Sequence, residues 1–280
     1  MKLFVTHIAR PFVLVAAAAL CVAQTPPAAA PPAADTAATP SVDDVLNHYI
    51  QALGGRDAIA KFTSTTEKGT FEVPDFGVSG PMEIYNKTGD KTFMTIDIAG
   101  FGTVRRGYDG TTGWADDPQA GLRDLAGDEL ADMKRNAVYN SELRMKDVYP
   151  GLTVKGSDKV NGHDAWILET SIDELKHRFY FDSASWLLVR TDEEVKVQDG
   201  KGTAVMYLAD YKTVDGVQVP CTMTMTSPQM NFNMKISDVK HNDPIDDAKF
   251  VKPSGEETKP AEAAKPAEPA AKPAEATPGK

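Results

Sequence analysis

The sequence predicts a mainly β protein of the α+β class, built on an antiparallel sheet of about eleven strands. Three observations carry this. Between Val78 and Val239, short runs alternate apolar and polar residues with the period of a strand. The pairs Asn161-Gly162, Asp199-Gly200 and Asp215-Gly216 separate several runs at hairpin spacing. Helical spacing is confined to the start of the body and to one insert, so no strand–helix–strand rhythm supports a parallel sheet.

The two ends are of a different character. Lys2 and Arg10 precede an apolar run of about a dozen residues, the size of a signal-peptide core and short of the roughly 20 that span a bilayer. Cys21-Val22-Ala23 supplies a cleavage site, so residues 1–23 read as a secretory signal and the rest as an exported, periplasmic protein, soluble once cleaved. No further apolar residues extend the run, which disfavours an uncleaved anchor. Leu20 is not the small residue expected before a lipid-accepting Cys21; retention and acylation of Cys21 would instead leave the protein membrane-anchored. Residues 24–40 are rich in Pro and Ala and read as an extended tether. Residues 251–280 repeat Lys-Pro-Ala-Glu with five Lys and five Glu, a neutral composition expected to be disordered.

Residues 41–250 remain as the folded domain, roughly 210 residues and enough for one good core. They carry 23 Lys and Arg against 34 Asp and Glu, a net charge of −11. Such a surface disfavours nucleic acid and anionic headgroups as direct partners. Removal of Cys21 leaves Cys221 alone in an apolar strand pattern, where a buried small hydrophobe is expected and no intramolecular disulfide can form.

The body opens with a helix. Ser41 is a good N-cap, Asp43 and Asp44 occupy the first turn, and Val42, Val45, Leu46, Tyr49, Ile50 and Leu53 share one face. Gly54-Gly55 ends it, and residues 56–62 form a short second helix. Strands follow at 78–85, 91–98 and 102–108, then Asp109-Gly110 turns the chain before Trp114. Leu130, Met133, Ala137 and Leu143 alternate with charges at helical spacing, so residues 127–146 contain an inserted amphipathic helix. Strands return at 165–170, 178–182, 186–191, 205–211, 217–226 and 232–239.

Signatures of catalysis are missing from the sequence pattern. His48, His163, His177 and His241 are scattered and make no HxxxH or HxH pair, so no metal site and no cofactor are expected. No GxSxG, P-loop or GxGxxG occurs, and no catalytic residue is assigned. Methionine stands out instead, with nine in the body. Met94, Ile96 and Ile98 share a strand face; so do Cys221, Met223 and Met225, and Phe232, Met234 and Ile236. Flexible, polarizable side chains on an inner face can repack around varied apolar ligands, or simply form the core of a sheet packed on its own helices.

Several motifs in order resemble the outer-membrane lipoprotein-sorting (LolA-like) superfamily. They are Gln51-Ala52-Leu53-Gly54-Gly55 after the first helix, Gly107-Tyr108-Asp109-Gly110 with Trp114, and Tyr180-Phe181-Asp182 followed by Leu187-Leu188-Val189-Arg190. Asp210-Tyr211 with Val214-Asp215-Gly216-Val217-Gln218-Val219-Pro220, and the closing Pro244-Ile245-Asp246-Asp247-Ala248-Lys249-Phe250, complete the likeness, which covers nearly all of residues 41–250. The resemblance implies a strongly curved antiparallel sheet, an incomplete barrel, with helices covering its concave face. It implies a monomeric carrier that holds acyl chains of a lipoprotein or another lipid between sheet and helical lid. Met94, Ile96, Ile98, Trp114, Met223, Met225, Phe232 and Met234 would then line the cavity. Val45 and Tyr49 on the first helix, with Leu130 and Met133 on the insert, would form the lid's apolar side, and Arg105 or Arg106 would contact the lid. The alternative is an envelope sensor or scaffold that uses the same fold to bind a protein partner. The long Pro-Ala tail departs from the simple carrier.

Overall fold

The computed structural model describes residues 39–198 and 200–254. The signal, most of the tether and most of the tail therefore lie outside the described residues. Ser41 caps the first helix, Val42–Ala52 (α1), as expected, and Asp44 completes a reciprocal capping box with it. Gly54 ends the helix at φ +120°, and a Cβ there would lie 2.2 Å from the Gly216 carbonyl oxygen. Only glycine lets the helix end sit this close to the hairpin at 215–216. A one-turn helix, Arg56–Ala60 (α2), follows.

Six strands come next: Ser64–Val73 (β1), Val78–Lys87 (β2), Lys91–Ile98 (β3), Gly102–Tyr108 (β4), Gly113–Asp117 (β5) and Gly121–Asp124 (β6). The insert is shorter than the sequence implies. Gly127–Asn136 (α3) stops at Ala137, Asn140 adopts φ +51°, and Ser141–Leu143 and Met145–Val148 (α4) form separate turns. Seven strands complete the sheet: Thr153–Val160 (β7), His163–Ile172 (β8), Leu175–Asp182 (β9), Leu188–Val197 (β10), Gly200–Val214 (β11), Val217–Thr226 (β12) and Phe232–His241 (β13).

All thirteen strands form one antiparallel, curved and unclosed sheet in the order β6-β5-β4-β3-β2-β1-β13-β12-β11-β10-β9-β8-β7. Every neighbouring pair is consecutive in sequence except β1 with β13. The sheet is thus two hairpin meanders joined at one seam. The β1–β13 ladder shifts register between Lys68 and Gly69, and further shifts fall at Leu188/Arg190 and Val154/Ser157. Such irregularities increase local twist and bend a sheet.

Both long helices lie on the concave face. Val45, Leu46, Tyr49 and Ile50 of α1 are buried with Leu168, Phe179 and Phe181 of β8 and β9. On the convex face, Phe93 and Trp114 pack with Ile245 and Phe250 of the C-terminal segment, which the Trp114 Nε1 pins by donating to the Phe250 carbonyl at 2.9 Å. Gly107 leaves room for the Trp114 ring, since a Cβ there would fall 2.5 Å from it. Among the described residues, no helix is long and apolar enough to cross a membrane.

Candidate functional site: the concave face of the sheet

The concave face divides into two halves. One is plugged by α1. The other is lined by strand residues alone: Phe71, Val73, Met82, Ile96, Ile98 and Ile236 are buried, and Met94, Val104, Met223, Phe232 and Met234 are half-buried against them. The ladders explain the gathering. Met82 pairs with Ile96, Ile84 with Met94 and Met223 with Met234, so these side chains fall on one face of adjacent strands. The result is an apolar trough rich in methionine.

The structure brings Met94, Ile96, Ile98, Met223, Phe232 and Met234 together in this trough, as the alternation implies. Met225 lies on the same face, opposite Met206 and Phe232 in the ladders. Val45 and Tyr49 are buried in the α1 half, with Tyr49 edge-on to Phe181 at 5.1 Å between centroids. Trp114 differs from the expectation: it is 2% exposed, but on the convex face. Gly113 and Ala115 flank it, so β5 offers no apolar alternation from which its face could be read.

α3 spans the trough's flank. Its first-turn Glu129 accepts from Arg106 Nη2 at 2.7 Å and from both terminal nitrogens of Arg123, at 2.7 and 2.8 Å. The Arg123 hydrogen bond, with Arg106 beside it, holds the Glu129 carboxyl below its usual range. Asp128 accepts from Lys196 of β10 at 2.6 Å, so the helix start is tied to both halves of the sheet. Leu130 packs over Gly113, and half-buried Met133 lies one turn on. Of the two arginine candidates, Arg106 is therefore the one that meets α3. Arg105 points to the opposite face and pairs with Asp116, leaving its Nε buried without a hydrogen-bond partner. Arg123 carried no signal, because the four residues of β6 are too few to show a strand period.

Two cavities lined largely by charged and polar residues border α3. One, of about 320 Å³, separates it from β8–β10 and is lined by Asp132, Arg135, His177, Glu193 and Lys196 among others. Burial lowers the His177 pKa, so the ring is favoured neutral, with Nδ1 3.4 Å from Glu193 Oε1. The other, of about 210 Å³, lies between β1–β2 and the residues after α3. Thr65 shares a hydrogen bond with Tyr139 there, and burial pushes the Glu67 carboxyl up to about 7. These groups mark the polar boundary of the apolar trough.

No family model and no curated protein matches the sequence. Solved structures do share the architecture. A DUF1329 family protein from Desulfovibrio piger is 15% identical, with a TM-score of 0.52, over 75% of this chain and 97% of that one. A LolA superfamily protein from Nitrosomonas europaea is 14% identical, with a TM-score of 0.51, over 76% and 98%. A curved, unclosed antiparallel sheet with helices across its concave face defines a class of fold. The chain has that fold in its LolA-like form.

Proposed function

We propose that the protein is an exported, monomeric, non-enzymatic carrier, soluble after loss of its signal, that holds acyl chains of a lipoprotein or another lipid in the concave trough. The single observation that carries the reading is an apolar surface built from strands alone, with half-buried Met94, Met223 and Met234 in it, beside a helix tied down by charge pairs. Each methylene moved from water into the trough contributes about 0.8 kcal/mol. Methionines adapt their rotamers to the chain that enters. Leu130 and Met133 supply the lid's apolar side, while Val45 and Tyr49 anchor the helix that closes the far half.

Native mass spectrometry of protein purified from a membrane-containing lysate should show bound lipid, and the stripped protein should take up a fluorescent fatty acid. Repeated absence of both would sink the reading. A sensor or scaffold role has one observation in its favour: six side chains of the trough are already buried by one another. It predicts no fatty-acid uptake and recovery of a stoichiometric protein partner on pull-down.

A further inference from the structure

In an antiparallel meander, alternate hairpins fall at alternate ends of the sheet. The turns at 74–77, 99–101 and 227–231, between β1 and β2, β3 and β4, and β12 and β13, therefore share one rim. Contacts across strands bear this out. Asn231 Nδ2 donates to Asp75 Oδ2 at 2.8 Å, tying two tips together. A Cβ on Gly102 would lie 2.8 Å from Pro118, placing the third tip against the neighbouring hairpin.

Each of these tips carries an exposed large apolar side chain. Phe76 is 76% exposed, Phe101 40% and Met230 39%. The fourth such residue among those described, Val251, lies on the C-terminal segment instead. The opposite rim differs in kind. Its turns at 88–90, 109–112, 161–162 and 215–216 hold Thr, Gly, Asp and Asn, and its aromatics Trp186 and Phe62 are stacked on His48 at 4.2 Å and on His241 at 3.8 Å. The apolar rim is also where the trough ends: Phe71, Val73, Val78, Ile98 and Phe232 sit at the strand ends beside the three tips.

We infer that this rim docks on a zwitterionic lipid surface, with Phe76, Phe101 and Met230 entering the interfacial layer and the trough's open end facing the bilayer. Together the three side chains expose on the order of 300 Å². That falls short of the roughly 800 Å² each partner contributes to a stable protein interface. Separate apolar points on neighbouring hairpin tips suit the soft interface of a membrane, where each side chain is buried independently. Charge narrows the lipid. Glu72, Asp75, Asp97 and Asp117 stand near the tips, while Lys196 and Lys201 beside the 227–231 turn are paired with Asp128 and Glu194, so the balance is negative and anionic headgroups are disfavoured. The geometry of the rim stands apart from the carrier reading; only its use, passing an acyl chain between bilayer and trough, rests on that reading.

The test is flotation of the processed full-length protein with phosphatidylcholine vesicles, against the triple variant Phe76→Ser, Phe101→Ser, Met230→Ser. The tips are exposed, so the thermal transition should not move. Vesicle partitioning should fall at least tenfold in the variant, and for the unaltered protein it should weaken as phosphatidylglycerol is added. Unaltered protein that stays off the vesicles overturns the inference. So does a variant that floats equally well, binding that strengthens with anionic lipid, or a change of oligomeric mass that shows the tips inside a dimer. A fluorescent fatty acid supplied from solution separates the two ideas. Docking with neither co-purified lipid nor fatty-acid uptake removes the carrier reading and leaves the rim standing. Binding from solution without docking does the reverse.

Discussion

Glu129 holds two guanidinium groups on one carboxylate at the positive end of a helix dipole. Glu129→Gln should leave unfolding free energy within about 1 kcal/mol, because these pairs are only partly buried and remain open to solvent. The same change should visibly accelerate amide exchange along α3. Glu129, with its lowered pKa, contributes stability present above the unfolded carboxylate value and lost as pH falls through the folded one. Glu67 has the opposite sign. Its carboxyl titrates at about 7 rather than 4.5, so between those values the folded state keeps a proton that the unfolded chain has lost. Stability should decline as pH rises across that window and level off above it. Glu67→Gln should remove up to about 2–3 kcal/mol of that decline in urea titrations at pH 5 and 8. Trp114→Phe loses a buried hydrogen bond and should cost about 1–2 kcal/mol, yet leave fatty-acid uptake unchanged because the ring faces away from the trough. Residues with a clear period were legible: Val45 and Tyr49 by helical spacing, and Met94, Met223 and Met234 by alternation. Trp114 and Arg123 were not, since their short strands β5 and β6 carry no period.

Among the elements, α1 followed from its cap and apolar face. β1 did not, for a physical reason: it buries Ser64 and Thr66 where an alternating strand would place apolar residues, and its partner shifts register beside Gly69. β7, an edge strand with exposed charges and its own shift, was equally mute. The two halves of the concave face should answer differently to truncation. Leu168→Ala, fully buried under α1, should cost about 2–5 kcal/mol. Met234→Ala, half-buried in the trough, should cost less than about 2 kcal/mol while weakening fatty-acid affinity more. Paired urea unfolding and fluorescence titrations of the two variants check this.

At the scale of the whole molecule, the antiparallel class was readable from turns and from the missing strand–helix rhythm. Curvature was not, because it arises from register shifts and from twist accumulated over thirteen strands; only the family resemblance supplied it. The β1–β13 seam has a kinetic meaning. It unites segments roughly 170 residues apart in the chain, while every other ladder joins immediate neighbours. Loop closure on that scale is entropically late, so each meander is expected to form first and the seam to zip last. Until Phe232–His241 has arrived, β1 and β12 both present raw hydrogen-bonding edges. A chain ending before Phe232 should therefore persist as two half-sheets prone to pairing with copies of themselves, and nascent protein would need a chaperone's shelter for as long as its last strand is still on the way.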